Sequence, residues 1–310
     1  MKPEPAPDYV VIGHVTHDRF RDRPVATHGW SPRRGDAERP GGTAYYAGVA
    51  ALRLGRTVGL VTSFGADFRY RAMLAPMQIA RVPAERTTCF EIASFDGRRQ
   101  LRSLHRAGEL SFDAAAASWR AADIVHCAPV AGEVRTSVIR DGGRGHRAAT
   151  LQGWLRTHED GQLVQSLYPA DFPASLDGLD WAVVSTEDLG GSDAGRWRSR
   201  AEELAAHVGV LAVTEGAQGC ALYAERCETY VEPFPAREVD STGAGDVFAA
   251  AFFIRLSETR DPTESARFAA CAAALSVEGV GASRVPNRRE VLDALRQRRG
   301  VTVAQAESAR

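Results

Sequence analysis

Short apolar runs rich in β-branched residues recur along the chain, each closed by glycine or by a polar stretch. Residues 9–13, 58–62, 124–128, 181–185 and 210–214 are such runs, and a further one starts at Ala148 and runs to a polar end at Arg156. Continuous apolar runs of this length are the signature of parallel strands covered on both faces. Between them lie stretches with helical spacing: one through Ala50, Leu52 and Leu54 that stops at Gly55, one over 198–208, one through Val247, Phe248, Ala251 and Phe252, one over 264–277 and an amphipathic one over 289–299. Residues 87–94 and 100–105 alternate instead, on either side of Asp96-Gly97, which predicts a hairpin. Residues 19–39 are polar with little periodicity and read as a surface loop or as strands of a small sheet. Strand–helix alternation throughout predicts one α/β domain, a doubly wound, mostly parallel sheet flanked by helices, over 9–296, with a small β-sheet lid from about 15–40 and 87–106. Residues 297–310 are expected to be a flexible tail.

Composition narrows the partners. The 310 residues are 44% hydrophobic and 25% charged with a net charge of -1, so there is no basic excess to hold a nucleic acid or an anionic membrane. A small-molecule substrate is expected. Lys2 is the only lysine, which excludes a G-x-x-x-x-G-K phosphate loop and leaves backbone amides and arginine to hold any phosphate. Residues 1–8 carry prolines and acids without an apolar core, unlike a signal peptide, and no run approaches membrane-spanning length. Cysteines 89, 127, 220, 227 and 271 are odd in number and lack C-x-x-C spacing, which suggests free thiols in a reducing cytoplasm.

The densest chemistry is Asp240-Ser241-Thr242-Gly243-Ala244-Gly245-Asp246, followed by an apolar helical stretch. A glycine turn feeding a helix start presents free N–H groups and the positive end of the helix dipole, which together hold an anion. Asp246 at that start would serve as a cap on its own, but Asp240 and two hydroxyls add more polar chemistry than a cap requires.

This string resembles the C-terminal signature of the ribokinase-like, or PfkB, carbohydrate kinases. The resemblance implies that Asp246 is the catalytic base and that the amides of Gly243, Ala244 and Gly245 form the anion hole. It also implies ATP and Mg2+ as cofactors, with Asp240 and Thr242 offered to a monovalent cation such as K+. Asp18, after the first strand, matches the family's hydroxyl-binding aspartate. Gly41-Gly42 match its glycine pair, with Thr43 where asparagine is usual. Thr214, Gly216 and Gly219 form a T-x-G-x-x-G string that resembles the nucleotide contact, and also suits a plain glycine hairpin. Gly281 lies in the final turn that borders the adenine pocket in relatives. Glu187 and Asp188 stand where the family holds magnesium, with Ser185 in place of its asparagine.

A narrower resemblance is to the myo-inositol kinase branch. It rests on His17-Asp18, on Phe68-Arg69-Tyr70, on residues 87–91, and on Gln152 and Arg156 as substrate contacts. The last two also read as a helix cap and a surface arginine, and His14 and His17 as loop histidines. The expected function is therefore an ATP-dependent kinase of a small polyol, myo-inositol or a related cyclitol. A nucleoside, ribose or fructose kinase and a non-catalytic sensor on the same scaffold are the alternatives, and the resemblance allows a homodimer through the lid.

Overall fold

The computed structural model describes residues 5–21, 37–95, 98–141, 143–191 and 193–308. Its strands are β1 (Tyr9–Ile12), β2 (Thr16–Arg21), β3 (Ala37–Gly41), β4 (Val58–Phe64), β5 (Gln78–Pro83), β6 (Thr88–Phe95), β7 (Arg98–His105), β8 (Ile124–Cys127), β9 (His146–Thr150), β10 (Leu179–Ser185), β11 (Val208–Thr214), β12 (Cys220–Ala224) and β13 (Cys227–Val231). Its helices are α1 (Thr43–Arg53), α2 (Val138–Asp141), α3 (Phe172–Ser175), α4 (Thr186–Leu189), α5 (Ala194–Ala205), α6 (Ala244–Thr259), α7 (Pro262–Ser276) and α8 (Arg288–Ser308).

One sheet takes the order β13-β12-β11-β10-β9-β8-β1-β4-β5, and its strands from β5 to β11 pair in parallel. β12 and β13 extend one edge antiparallel. β1 lies inside, and its four residues are fully buried because helices cover both faces. Tyr9 and Val11 face the core shared with α1, α6 and α7, while Val10 and Ile12 face the one shared with α5. α6 is apolar on nearly every side, from Val247 to Ile254, as a helix sandwiched between the sheet and other helices must be.

A second sheet, β3-β2-β6-β7, grows from the carboxyl end of β1. β1 leads into β2 after three residues, and β3 returns through Gly41 to the start of α1. Parallel strands deliver their carboxyl ends to one edge, where open α/β sheets bind ligands, so the small sheet is anchored at that edge.

The structure departs from the sequence pattern in a few places. His17 and Asp18 lie on a strand and not in a loop. β5 and β13 had no clear pattern: β5 alternates intermediate and exposed positions along a sheet edge, where charge and proline blur the apolar signal. Residues 151–154 form a 3₁₀ turn beyond β9, and α6 starts two residues before Asp246. α8 continues through 297–308. The Asp96-Gly97 turn lies outside the described residues. All five cysteines are free, and only Cys227 is exposed. No helix among the described residues is long and apolar enough to cross a membrane.

Candidate active site

A cavity of about 490 Å³ opens where the small sheet meets the carboxyl edge of the large one. On the small-sheet side it is lined by Asp18, which is buried and accepts a hydrogen bond from Thr16 Oγ1 (2.6 Å). A β-carbon at Gly41 would stand 2.0 Å from Asp18 Oδ2, so only glycine leaves room for this carboxylate. Gly42 caps α1, and both Gly42 and Thr43 line the cavity. Gln152, on the turn after β9, reaches across to donate from Nε2 to Thr43 Oγ1 (2.5 Å).

On the opposite wall lie Thr242, Gly243, Gly245 and Asp246. Gly243 is left-handed (φ 82°) and caps α6, which puts Asp246 in that helix's first turn. The Ala244 amide donates to the Ser241 carbonyl (3.2 Å) and closes the turn, and Gly243 and Gly245 line the cavity. Asp240 stands just behind. Burial alone would push its carboxyl up, but hydrogen bonds from the Gly281 amide, Thr242 and Arg39 hold it below the usual carboxylate range. The buried Tyr46 hydroxyl is kept protonated, first by burial and then by the charges of Asp18, Asp240 and Asp246.

The end of β10 supplies the third wall. Ser185 caps α4 by accepting from the Asp188 amide (3.2 Å), and its hydroxyl donates to Asp188 Oδ2 (2.7 Å). Asp188 Oδ1 accepts from Arg156 Nε (2.8 Å). Asp188 is thus committed to Ser185 and Arg156, while Glu187 is exposed into the cavity. Among the described residues no group of three or more His, Cys, Asp or Glu is gathered for a metal.

The residues assigned to the nucleotide sit apart. Thr214 pairs in register with Ser185, but neither it nor Gly216 and Gly219 line this cavity. Gly216 and Gly219 bracket the turn between β11 and β12. Gly281 reaches the loop through its bond to Asp240. His14, in the connection between β1 and β2, bonds Thr88 Oγ1 (2.7 Å) and the Gly108 carbonyl (2.8 Å), and His17, on β2, packs between Phe68 and Tyr70, so both are buried framework and only His14 is a loop residue.

One wall was not visible in the sequence. Residues 155–167 double back on themselves, with Leu155 bonded to Leu167 and Thr157 to Gln165, and Val164 bonds Leu101 of β7. This strap continues the small sheet past β7, and Val164 packs with Phe90, Ile92, Leu101 and Val130. Gln165 and Ser166 line the cavity mouth. Arg102 and Arg106 turn away from the cavity, toward Glu91 and Asp160.

Residues 182–288 match the model of the pfkB family carbohydrate kinases. The chain is 44% identical over 95 residues to a ribokinase of Bacillus subtilis, a match covering 30% of this chain and 32% of that protein. It is 45% identical over 69 residues to an inositol 3-kinase of Zea mays, covering 22% and 18%. The matched segment thus spans about a third or less of these curated relatives. Among solved structures, an Arabidopsis thaliana ribokinase complexed with ribose and ATP superposes with a TM-score of 0.72 at 22% identity, over 94% of this chain and 99% of that one. A pyrophosphate-dependent kinase in the ribokinase family, complexed with a pyrophosphate analog and myo-inositol, gives 0.73 at 18% identity, over 92% and 99%.

Proposed function

We propose that this chain, which belongs to the pfkB family of carbohydrate kinases, transfers the γ-phosphoryl group of ATP to a hydroxyl of a small polyol, with myo-inositol or a related cyclitol as the acceptor. The observation that carries the reading is one cavity lined by both the Asp246 carboxylate of the glycine loop and the Asp18 carboxylate of the small sheet.

In this reading Asp18, Gln152 and Arg156 hold the acceptor's hydroxyls. Asp246 takes the proton from the hydroxyl that attacks. The amides of Gly243 and Gly245, at the positive end of α6, stabilise charge on the group in transfer. The small sheet keeps water from competing for it. Bound Mg2+ neutralises phosphate charge, and Glu187, an exposed cavity carboxylate, fits it: Mg2+ takes one or two carboxylates and keeps its remaining positions for water and phosphate. Asp188 does not fit, because Arg156 and Ser185 already hold its oxygens.

A hydroxyl-rich acceptor suits the polar part of the lining, where Asp18, Thr43, Gln152 and Arg156 stand, while the apolar part, with Phe90, Ile92, Leu101 and Val164, keeps a nucleoside as an alternative. Of Tyr45 and Tyr46, only Tyr46 lines the cavity, with its ring packed beneath Gly243, and Phe90 is the other ring in the lining. A ribose acceptor is the second reading, favoured by the ribokinase match. A homodimer through the small sheet and a cytoplasmic location complete the proposal, the former checked by light scattering on the purified chain.

The test is ADP release with ATP and Mg2+ across myo-inositol, other cyclitols, ribose, fructose and adenosine, repeated with pyrophosphate as donor and phosphate release as readout. Asp246→Asn should lower turnover by roughly 10²- to 10⁴-fold. Selective turnover of a cyclitol that the variant loses is the expected result. Turnover of ribose or adenosine alone would overturn the acceptor, and nucleotide binding without turnover on any acceptor would favour a sensor.

A further inference from the structure

The family resemblance offers Asp240 and Thr242 to a monovalent cation, and the groups around Asp240 do not fit one. Its Oδ2 accepts from Arg39 Nη1 (2.5 Å) and from the Gly281 amide (2.9 Å), while Oδ1 accepts from the Thr242 amide (3.0 Å). A guanidinium therefore stands against the carboxylate that would attract the ion, and a second positive charge there would be repelled by it.

We propose that Arg39 is the built-in counter-ion of the phosphate loop, a fixed charge that takes the place of a monovalent cation and makes the chain independent of one. The proposal rests on reading residues 240–246 as that loop.

The position of Arg39 adds a tie that a diffusible ion lacks. It lies on β3, directly across from Asp18 on β2, and its guanidinium stacks 4.1 Å from the Phe20 ring. β3 then runs through Gly41 to α1. One side chain thus joins the strand pair that carries the acceptor carboxylate to the loop that carries Asp246 and to the turn at Gly281. A planar guanidinium suits this work, since it stacks and donates at once.

The test compares choline, sodium and potassium chloride at equal ionic strength, on the wild type, Arg39→Ala and Arg39→Lys. Thermal unfolding of the ligand-free protein is read first. The wild-type midpoint should be the same in all three salts, and Arg39→Ala should melt lower and be raised by potassium or by millimolar guanidinium. Turnover is read second, on whichever acceptor the wild type accepts. It should be salt-independent in the wild type and in Arg39→Lys. In Arg39→Ala it should fall on the order of 10- to 100-fold in choline, the scale of loss when catalytic groups are misplaced, and return with potassium or guanidinium. A wild type activated tenfold or more by potassium would overturn the proposal, as would an Arg39→Ala variant with neither loss nor rescue. If no acceptor is turned over the functional reading fails, while the melting comparison still decides the role of Arg39. If Arg39→Ala does not fold, the salt response of the wild type and of Arg39→Lys decides it.

Discussion

Gly243 and Tyr46 are in direct contact across the site: a β-carbon on Gly243 would stand 2.4 Å from Tyr46 Cδ1. Two independent constraints therefore act on one residue, since its φ of 82° is also left-handed. Gly243→Ala should cost about 2 kcal/mol or more, from the left-handed penalty plus displacement of a packed ring. Tyr46→Leu removes the ring and leaves the backbone strain. In the double variant the ring-dependent part of the loss should disappear, which a double-mutant cycle in urea would measure. Equal losses with and without the ring would show that the backbone alone requires glycine.

Arg156 and Asp188 form an ion pair in which the carboxylate is buried and the arginine side chain is 25% exposed. Arg156→Leu strands that carboxylate and should cost about 1–3 kcal/mol, below the figure for a fully buried pair because water still reaches the guanidinium. Adding Asp188→Asn should recover much of this stability. If Arg156 also holds the acceptor, the double variant will keep a raised acceptor KM even after stability returns. A KM that recovers with stability would make the pair purely structural.

The strap over 155–167 closes the cavity through Val164, half-buried against Phe90, Ile92 and Val130. Val164→Ala should lower stability by only about 1 kcal/mol. If the proposed function holds, its larger effect should be on the acceptor, as a raised KM with little change in kcat, because Val164 packs with Phe90 and Ile92 of the small sheet that carries Asp18. A fall in kcat at unchanged KM would mean that the strap acts on the chemistry.

Much of this arrangement was legible in the sequence because backbone demands force residue choice. The D-S-T-G-A-G-D string needs glycine where the turn is left-handed, and the apolar run after it announces α6. Asp18, Gly42, Thr43, Gln152 and Arg156 lie on the wall of one cavity with Asp246. What stayed hidden depends on contacts across long separations. Arg39 sits in a polar stretch, and nothing local marks it as the partner of Asp240, 201 positions away. The strap has no periodicity because its order comes from bonding to β7. The commitment of Asp188 to Arg156 appears only once α4 turns it inward.

His126 carries the pH prediction. It lies inside the sheet between the Tyr9 hydroxyl (2.7 Å from Nδ1) and Thr150 Oγ1 (2.6 Å from Nε2), and burial pushes its pKa down to about 3. Its value in the unfolded chain is about 6.5. Below pH 6.5 the unfolded state therefore binds a proton that the folded state refuses. Stability is fully present above that pH and falls as pH drops toward 3, by about 1.4 kcal/mol per unit for this one group. His17, His105, His146 and His158 are also lowered, chiefly by burial, and add in the same direction. Urea unfolding between pH 7.5 and 5 should show this decline. His126→Gln should be less stable at pH 7.5, having lost the fit between two hydroxyls, yet its pH slope should be shallower by about one proton's worth. An unchanged slope would mean that His126 takes up its proton in the folded state and that the Tyr9–His126–Thr150 chain is not neutral.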